Sequence, residues 1–118
     1  MSKRVDIDYL NDIKEATQRI ENYIGNMDYQ HFLKDLKTQD AVLRNLEIIG
    51  EAVKNVSYEM KREYSDIDWK SIAGMRDKII HFYFGVNWDI VWSAVKEKVP
   101  EFKLKIEKIL EEMEGRKG

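Results

Sequence analysis

One short segment, Gly74-Met75-Arg76-Asp77-Lys78-Ile79-Ile80-His81-Phe82-Tyr83, places an arginine, a histidine and a tyrosine within eight positions. Histidine can pass a proton near neutral pH, arginine can hold a phosphate in a two-pronged grip, and tyrosine offers a hydroxyl. These are the parts needed to cleave a ribose phosphodiester without a metal. A base takes the proton from the 2′-hydroxyl, and a cation stabilises the charge growing on the phosphorane. Asp77 lies four residues before His81. On a helix those side chains can meet, and the carboxylate would favour the protonated imidazole. The bare pattern R-x4-H-x-Y is short, however, and a histidine and tyrosine near a helix end serve equally well in packing and hydrogen bonding.

Geometry constrains the catalytic reading. At about 100° per residue, Arg76 and Tyr83 share a helical face, whereas His81 points roughly 140° away from Arg76. Either the helix ends or distorts near His81, which Gly85 permits, or the site is shared between two copies across a twofold axis. His31 has no comparable company and reads as structural or exposed. Arg44, Glu47 and Glu51 have helical spacing, for which intrahelical ion pairing is the default reading. Trp69, Trp88 and Trp92 read most simply as core or interface anchors.

The elements that position these residues are helical. Apolar residues recur at steps of three and four, the spacing that lines one side of a helix. A first stripe runs Tyr9, Ile13, Ala16, Ile20, Tyr23 and stops at Gly25-Asn26. A short patch around Tyr29, Phe32 and Leu33 predicts a turn or two. A second stripe runs Val42, Leu46, Ile49, Val53, Val56, Met60, with Thr38 or Asp40 placed to cap it. A third runs Ile72, Met75, Ile79, Phe82, entered through Ser65 and Asp68 at capping-box spacing. The last runs Val91, Val95, Val99, Phe102, Ile106, Ile109, Met113, with Asn87 as its cap. Pro100 interrupts that stripe without changing its phase, which predicts a kinked helix or two helices nearly in line. Gly50 and Gly74 fall inside helices at a cost of roughly 1 kcal/mol each relative to alanine. Close helix–helix approach explains such glycines most simply, and backbone kept clear for a ligand near Gly74 is the alternative. No strand-like alternation persists. The pattern predicts an all-α antiparallel bundle of four to five helices, with its last helix kinked or broken at Pro100.

Composition bounds the rest. The chain has 118 residues, 43% hydrophobic and 36% charged, with no cysteine and one proline. That length suits one domain over residues 1–118. Disulfide scaffolds and cysteine zinc sites are excluded, and two histidines 50 positions apart make a histidine-rich metal centre unexpected. No apolar run approaches the ~20 residues needed to span a bilayer, and the amino terminus lacks a signal-peptide stretch, so a cytoplasmic location is expected. Twenty basic against twenty-two acidic residues give a net charge of −2. Any nucleic-acid contact must then use a local patch.

The stretch from Trp69 through Met75-Arg76-Asp77 to His81-Phe82-Tyr83, followed by Val86-Asn87-Trp88-Asp89-Ile90-Val91-Trp92, resembles the HepT-like branch of the HEPN superfamily. Arg44 to Ala52 is similar to that family's central helix, and the order of motifs covers nearly the whole chain. The resemblance implies a HEPN-type bundle forming a homodimer, with the motifs of both subunits lining a cleft. It further implies a metal-independent ribonuclease toxin of a toxin–antitoxin pair, needing no cofactor and partnered by an MNT-type nucleotidyltransferase antitoxin. By the same resemblance Arg76 and His81 would be catalytic, and Tyr83 the position that the antitoxin modifies with AMP. The residue after the arginine is often asparagine in the family and is Asp77 here. An added negative charge near an RNA phosphate could weaken binding or retune His81. Arg76, Lys78 and Arg44 are expected to give a local positive cleft. The alternative is a non-catalytic HEPN module that binds a nucleotide or a protein, and a purely structural helical dimer is a third reading.

Overall fold

The computed structural model describes residues 5–81 and 85–117, with the backbone alone at positions 76, 80, 81, 116 and 117. The helical stripes fold into α1 (Asp6–Ile24), α2 (Tyr29–Lys34), α3 (Leu36–Asn55), α4 (Tyr58–Glu63) and α5 (Trp69–Ile79). A final rod follows, made of α6 (Trp88–Ser93), a π-helical segment (Ala94–Lys98) and α7 (Val99–Lys117). Helix α3 packs on α1 and α5, and α1 also packs on α7. The expected all-α bundle is therefore the observed one. Its core joins Leu10, Ile13 and Ile20 of α1 to Val42, Ile49 and Val53 of α3, Ile79 of α5 and Ile106 of α7.

Periodicity located the helices better than their ends. In α1 the buried positions at the two ends are Leu10 and Ile24, while Tyr9 is half-buried and Tyr23 exposed. The helix stops at Gly25, whose φ of 50° suits glycine. Helix α3 is capped by neither Thr38 nor Asp40. Asp35 caps it, accepting from the Thr38 backbone N–H at 3.0 Å and from the Thr38 hydroxyl at 2.8 Å. Nor does α3 reach Met60. The chain turns at Val56, and Ser57 caps a separate α4 by accepting from the Met60 N–H at 3.1 Å. Ser57 also donates from its N–H and hydroxyl to Asp6, at 2.8 and 2.6 Å, which ties the start of α4 to the start of α1. At α5 the cap is Asp68, accepting from the Ser71 N–H at 3.1 Å, and not Ser65. Asn87 caps α6 as expected, through the Ile90 N–H at 3.2 Å.

The chain stays helical through Pro100 in a long, kinked final helix, as the stripe predicts. Proline has no N–H to donate four residues back, and its ring crowds that carbonyl. One turn earlier the ladder widens, and the Val99 N–H donates to Ala94, five residues back. Val91, Val95 and Val99 are all buried. Two successive steps of four are the spacing that a wider turn needs to keep one face on the core.

Candidate functional site

Helix α5 ends before the histidine. Ile79 is its last residue, and Ile80–His81 form β1, a two-residue strand antiparallel to β2 (Gly85–Val86). Ile80 pairs with Val86 and His81 with Gly85. The Asn87 N–H donates to the Ile79 carbonyl at 2.9 Å and closes the base of this hairpin. Gly85 has φ 80°, in the left-handed region that favours glycine, and so permits the return. The sequence predicts no strand here because Ile79, Ile80 and Phe82 extend the apolar pattern past the helix end.

This backbone replaces the ideal-helix projection. Arg76 lies on α5, one turn after Ala73, and His81 lies beyond the helix on the hairpin. The angular mismatch between them therefore does not by itself require a second copy. The side chains of Arg76 and His81 lie outside the described residues, and with them the pairings expected between Asp77 and His81 and between Arg76 and Tyr83. Asp77 is exposed on the last turn of α5. Tyr83 lies outside the described residues.

Both sides of the hairpin are anchored. Met75 and Ile79 on α5 are buried. Trp88, just past β2, meets Phe32 of α2 edge-on at 5.7 Å, and Trp92 lies 5.1 Å from the same ring. The Tyr29 hydroxyl donates to Asp89, and that carboxylate raises the tyrosine pKa. Trp69 packs edge-on against Phe102 at 6.0 Å, and its indole N–H donates to the Tyr64 carbonyl at 3.0 Å. All three tryptophans thus hold the core and its margins. His31 is exposed, with Nδ1 2.7 Å from an Asp28 carboxylate oxygen.

The two interior glycines differ. A Cβ on Gly50 would make ordinary contact, 3.6 Å from the Ala73 carbonyl oxygen, so α3 and α5 lie close there without the glycine being required. At Gly74 a Cβ would meet no atom within 4 Å, so packing does not account for it.

Of the three cations expected to share a cleft, the Arg76 side chain lies outside the described residues, and Arg44 and Lys78 line different cavities. Arg44 makes no ion pair with Glu47 or Glu51 among the described residues. It lines a 550 Å³ cavity between α1 and α3, together with Tyr9, Asp12, Glu47 and Glu51. Lys78 lines a different cavity, of 330 Å³, between α5 and the α6–π rod. The second cavity also receives Lys98, which sequence reasoning missed. The successive steps of four at Val91, Val95 and Val99 fit the widened turn but do not specify it, since ordinary helices take steps of four as well.

Comparison with known proteins gives this geometry a lineage. A family model described as Ribonuclease HepT-like matches residues 13–109. The probable ribonuclease HepT of Thermococcus cleftensis is 50% identical over 107 residues, covering 91% of this chain and 97% of that protein. A Methanocaldococcus jannaschii protein named provisionally as an RNase is 46% identical over 107 residues, covering 91% and 88%. Another, from Caldanaerobacter subterraneus, is 41% identical over 103 residues, covering 87% and 92%. No solved structure matches the chain significantly. With relatives of nearly equal length and a match running from α1 to α7, the chain belongs to the HepT-like ribonuclease family of the HEPN superfamily.

Proposed function

We propose that this protein is a metal-independent endoribonuclease, the toxin of a toxin–antitoxin pair, acting as a homodimer. The observation that carries the reading is the end of α5 at Ile79, which puts His81 on a hairpin five residues beyond Arg76. A histidine freed from helical register can approach a phosphate held near the arginine. The ribonuclease names of its relatives support the same substrate class.

In this mechanism His81 removes the proton from the ribose 2′-hydroxyl, and the 2′-oxygen attacks the adjacent phosphorus. Arg76 binds the nonbridging oxygens as charge builds on the phosphorane. The bond to the 5′-oxygen breaks, and that oxygen leaves with a proton returned by the imidazolium. The products are a 2′,3′-cyclic phosphate and a 5′-hydroxyl. Mass spectrometry of cleaved oligoribonucleotides tests this directly, because 3′-hydroxyl and 5′-phosphate ends would exclude it.

Regulation falls to Tyr83. Its partner is an MNT-type nucleotidyltransferase antitoxin, which joins AMP to the hydroxyl. The added phosphodiester competes for Arg76, and the adenosine occupies the space that RNA needs. Peptide mass spectrometry of a co-expressed pair decides the point. AMP on other residues alone, or full activity after complete modification of Tyr83, would refute it. Light scattering tests the homodimer, and a monomer at micromolar concentration that cleaves RNA would contradict it.

A further inference from the structure

We infer that the cavity between α5 and the π-helical segment is a subsite for the RNA sugar–phosphate backbone, gripped by Lys78 and Lys98. This rests on the ribonuclease reading and extends it beyond the Arg76–His81 motif. The 330 Å³ cavity is lined by Ser71, Met75 and Lys78 from one wall and by Ile90, Ser93 and Lys98 from the other. That volume lies within the range of about 300–1,000 Å³ typical of ligand sites. Neither lysine has an ion pair or hydrogen bond among the described residues. Among the described residues lining it the one carboxylate is Asp89, which accepts the Tyr29 hydroxyl. Two uncommitted ammonium groups with two serine hydroxyls suit phosphate and ribose oxygens, and the apolar Met75 and Ile90 suit a sugar or base face.

Two features of the backbone point the same way. In an α-helix, the residues one turn above Ser93 would be Lys96 and Glu97, whereas a π turn brings Glu97 and Lys98 there. Above Ala94 the same change replaces Glu97 and Lys98 by Lys98 and Val99. The widened turn thus favours Lys98 over Glu97 at the cavity wall, and Lys98 is the residue found there. Such π insertions are frequent at functional sites. On α5, Ser71, Gly74, Met75 and Lys78 follow the i, i+3, i+4, i+7 pattern of one face. A Cβ at Gly74 would meet no described atom within 4 Å, so the face is open at that point.

The strand's direction follows from charge. An adjoining 320 Å³ cavity shares Ser71 and Lys98 and adds Lys105, which pairs with Glu101 at 3.4 Å, but it also carries Asp66 and Asp68, so its carboxylates outnumber its lysines and oppose a polyanion. RNA therefore runs from Lys98 past Lys78 toward the hairpin. Lys78 lies about 3 Å of rise but about 200° of turn past position 76, so the strand rounds the end of α5, where the hairpin begins, to reach the motif.

The test uses the full chain in EDTA with a fluorescein-labelled single-stranded RNA. Binding is read by anisotropy in the His81→Ala background across a salt series. Lys78→Ala and Lys98→Ala are each expected to weaken binding about three- to tenfold, and to reduce the salt slope by about 0.7 per lysine. Lys98→Arg restores both, and Lys54→Ala, on α3, changes neither. With His81 intact, the two alanine variants raise KM and leave kcat unchanged, which a merely structural role would not do. Circular dichroism checks folding, and Lys→Gln variants replace any alanine variant that melts early. If the parent chain cleaves RNA but the double variant keeps its KM, affinity and salt slope, the subsite is refuted alone. If the parent neither binds nor cleaves RNA, the ribonuclease reading fails first.

Discussion

A Cβ placed on Gly50 would lie 3.6 Å from the carbonyl oxygen of Ala73, so α3 and α5 meet here with room for a methyl group and for little more. Arg76 follows Ala73 by one turn, and the spacing therefore positions the candidate site. Gly50→Ala makes only ordinary contact and removes a helix-interior glycine, so thermal unfolding should show unchanged or raised stability. Gly50→Leu overfills the gap and should cost about 1–3 kcal/mol, with ribonuclease activity falling alongside. Equal stability for the leucine and alanine variants would refute this role.

Gly74 offers the opposite case. With open space in front of it, Gly74→Ala should gain about 0.5–1 kcal/mol from helix propensity and a less flexible unfolded chain. Urea denaturation measures this. A loss of stability would mean that the position is packed after all.

Asp35 predicts an acid-sensitive helix start. The Thr38 backbone N–H, and then its hydroxyl, hold the Asp35 carboxyl below its ordinary value of 3.8. A carboxylate depressed in the fold stabilises it above the unfolded pKa and loses that contribution as pH falls through the folded one. The Tm difference between the parent chain and Asp35→Ala should therefore be full at neutral pH and close in acid, below pH 3.8. A gap that persists unchanged under acid would remove the carboxylate from the explanation.

The helices and their buried faces were legible in the sequence because spacing of apolar residues is a direct consequence of helical geometry. Their caps were less so. Asp35 and Thr38 are both good capping residues three apart, as are Ser65 and Asp68, and only the observed hydrogen bonds choose between them. The sequence leaves the end of α5 as one of two alternatives, since Ile80 and Phe82 continue its pattern while Gly85 sets the turn from outside it. The site's motif was visible as residue types. The cavity joining Lys78 to Lys98 was not, because a π turn changes which side chains share a face and Pro100 alone does not specify it.

Asp77 is exposed on the last turn of α5, directly after Arg76. Its negative charge opposes an approaching phosphate. An exposed unit charge is worth up to about 1 kcal/mol, so Asp77→Asn should raise kcat/KM roughly two- to fivefold at low salt, with the gain shrinking as salt increases. An unchanged or lower kcat/KM would show that the carboxylate does not act against RNA.

The most direct measurement is cleavage of a defined RNA in EDTA by the parent chain, His81→Ala and Arg76→Ala, each with its helical signal verified. The account predicts sustained cleavage by the parent. For His81→Ala it predicts a fall in rate of about 10²–10⁴-fold. For Arg76→Ala it predicts a loss of about 10²–10³-fold. Parent activity abolished by chelator and restored by one divalent ion, or a His81→Ala variant that cleaves at the parent rate, would contradict it.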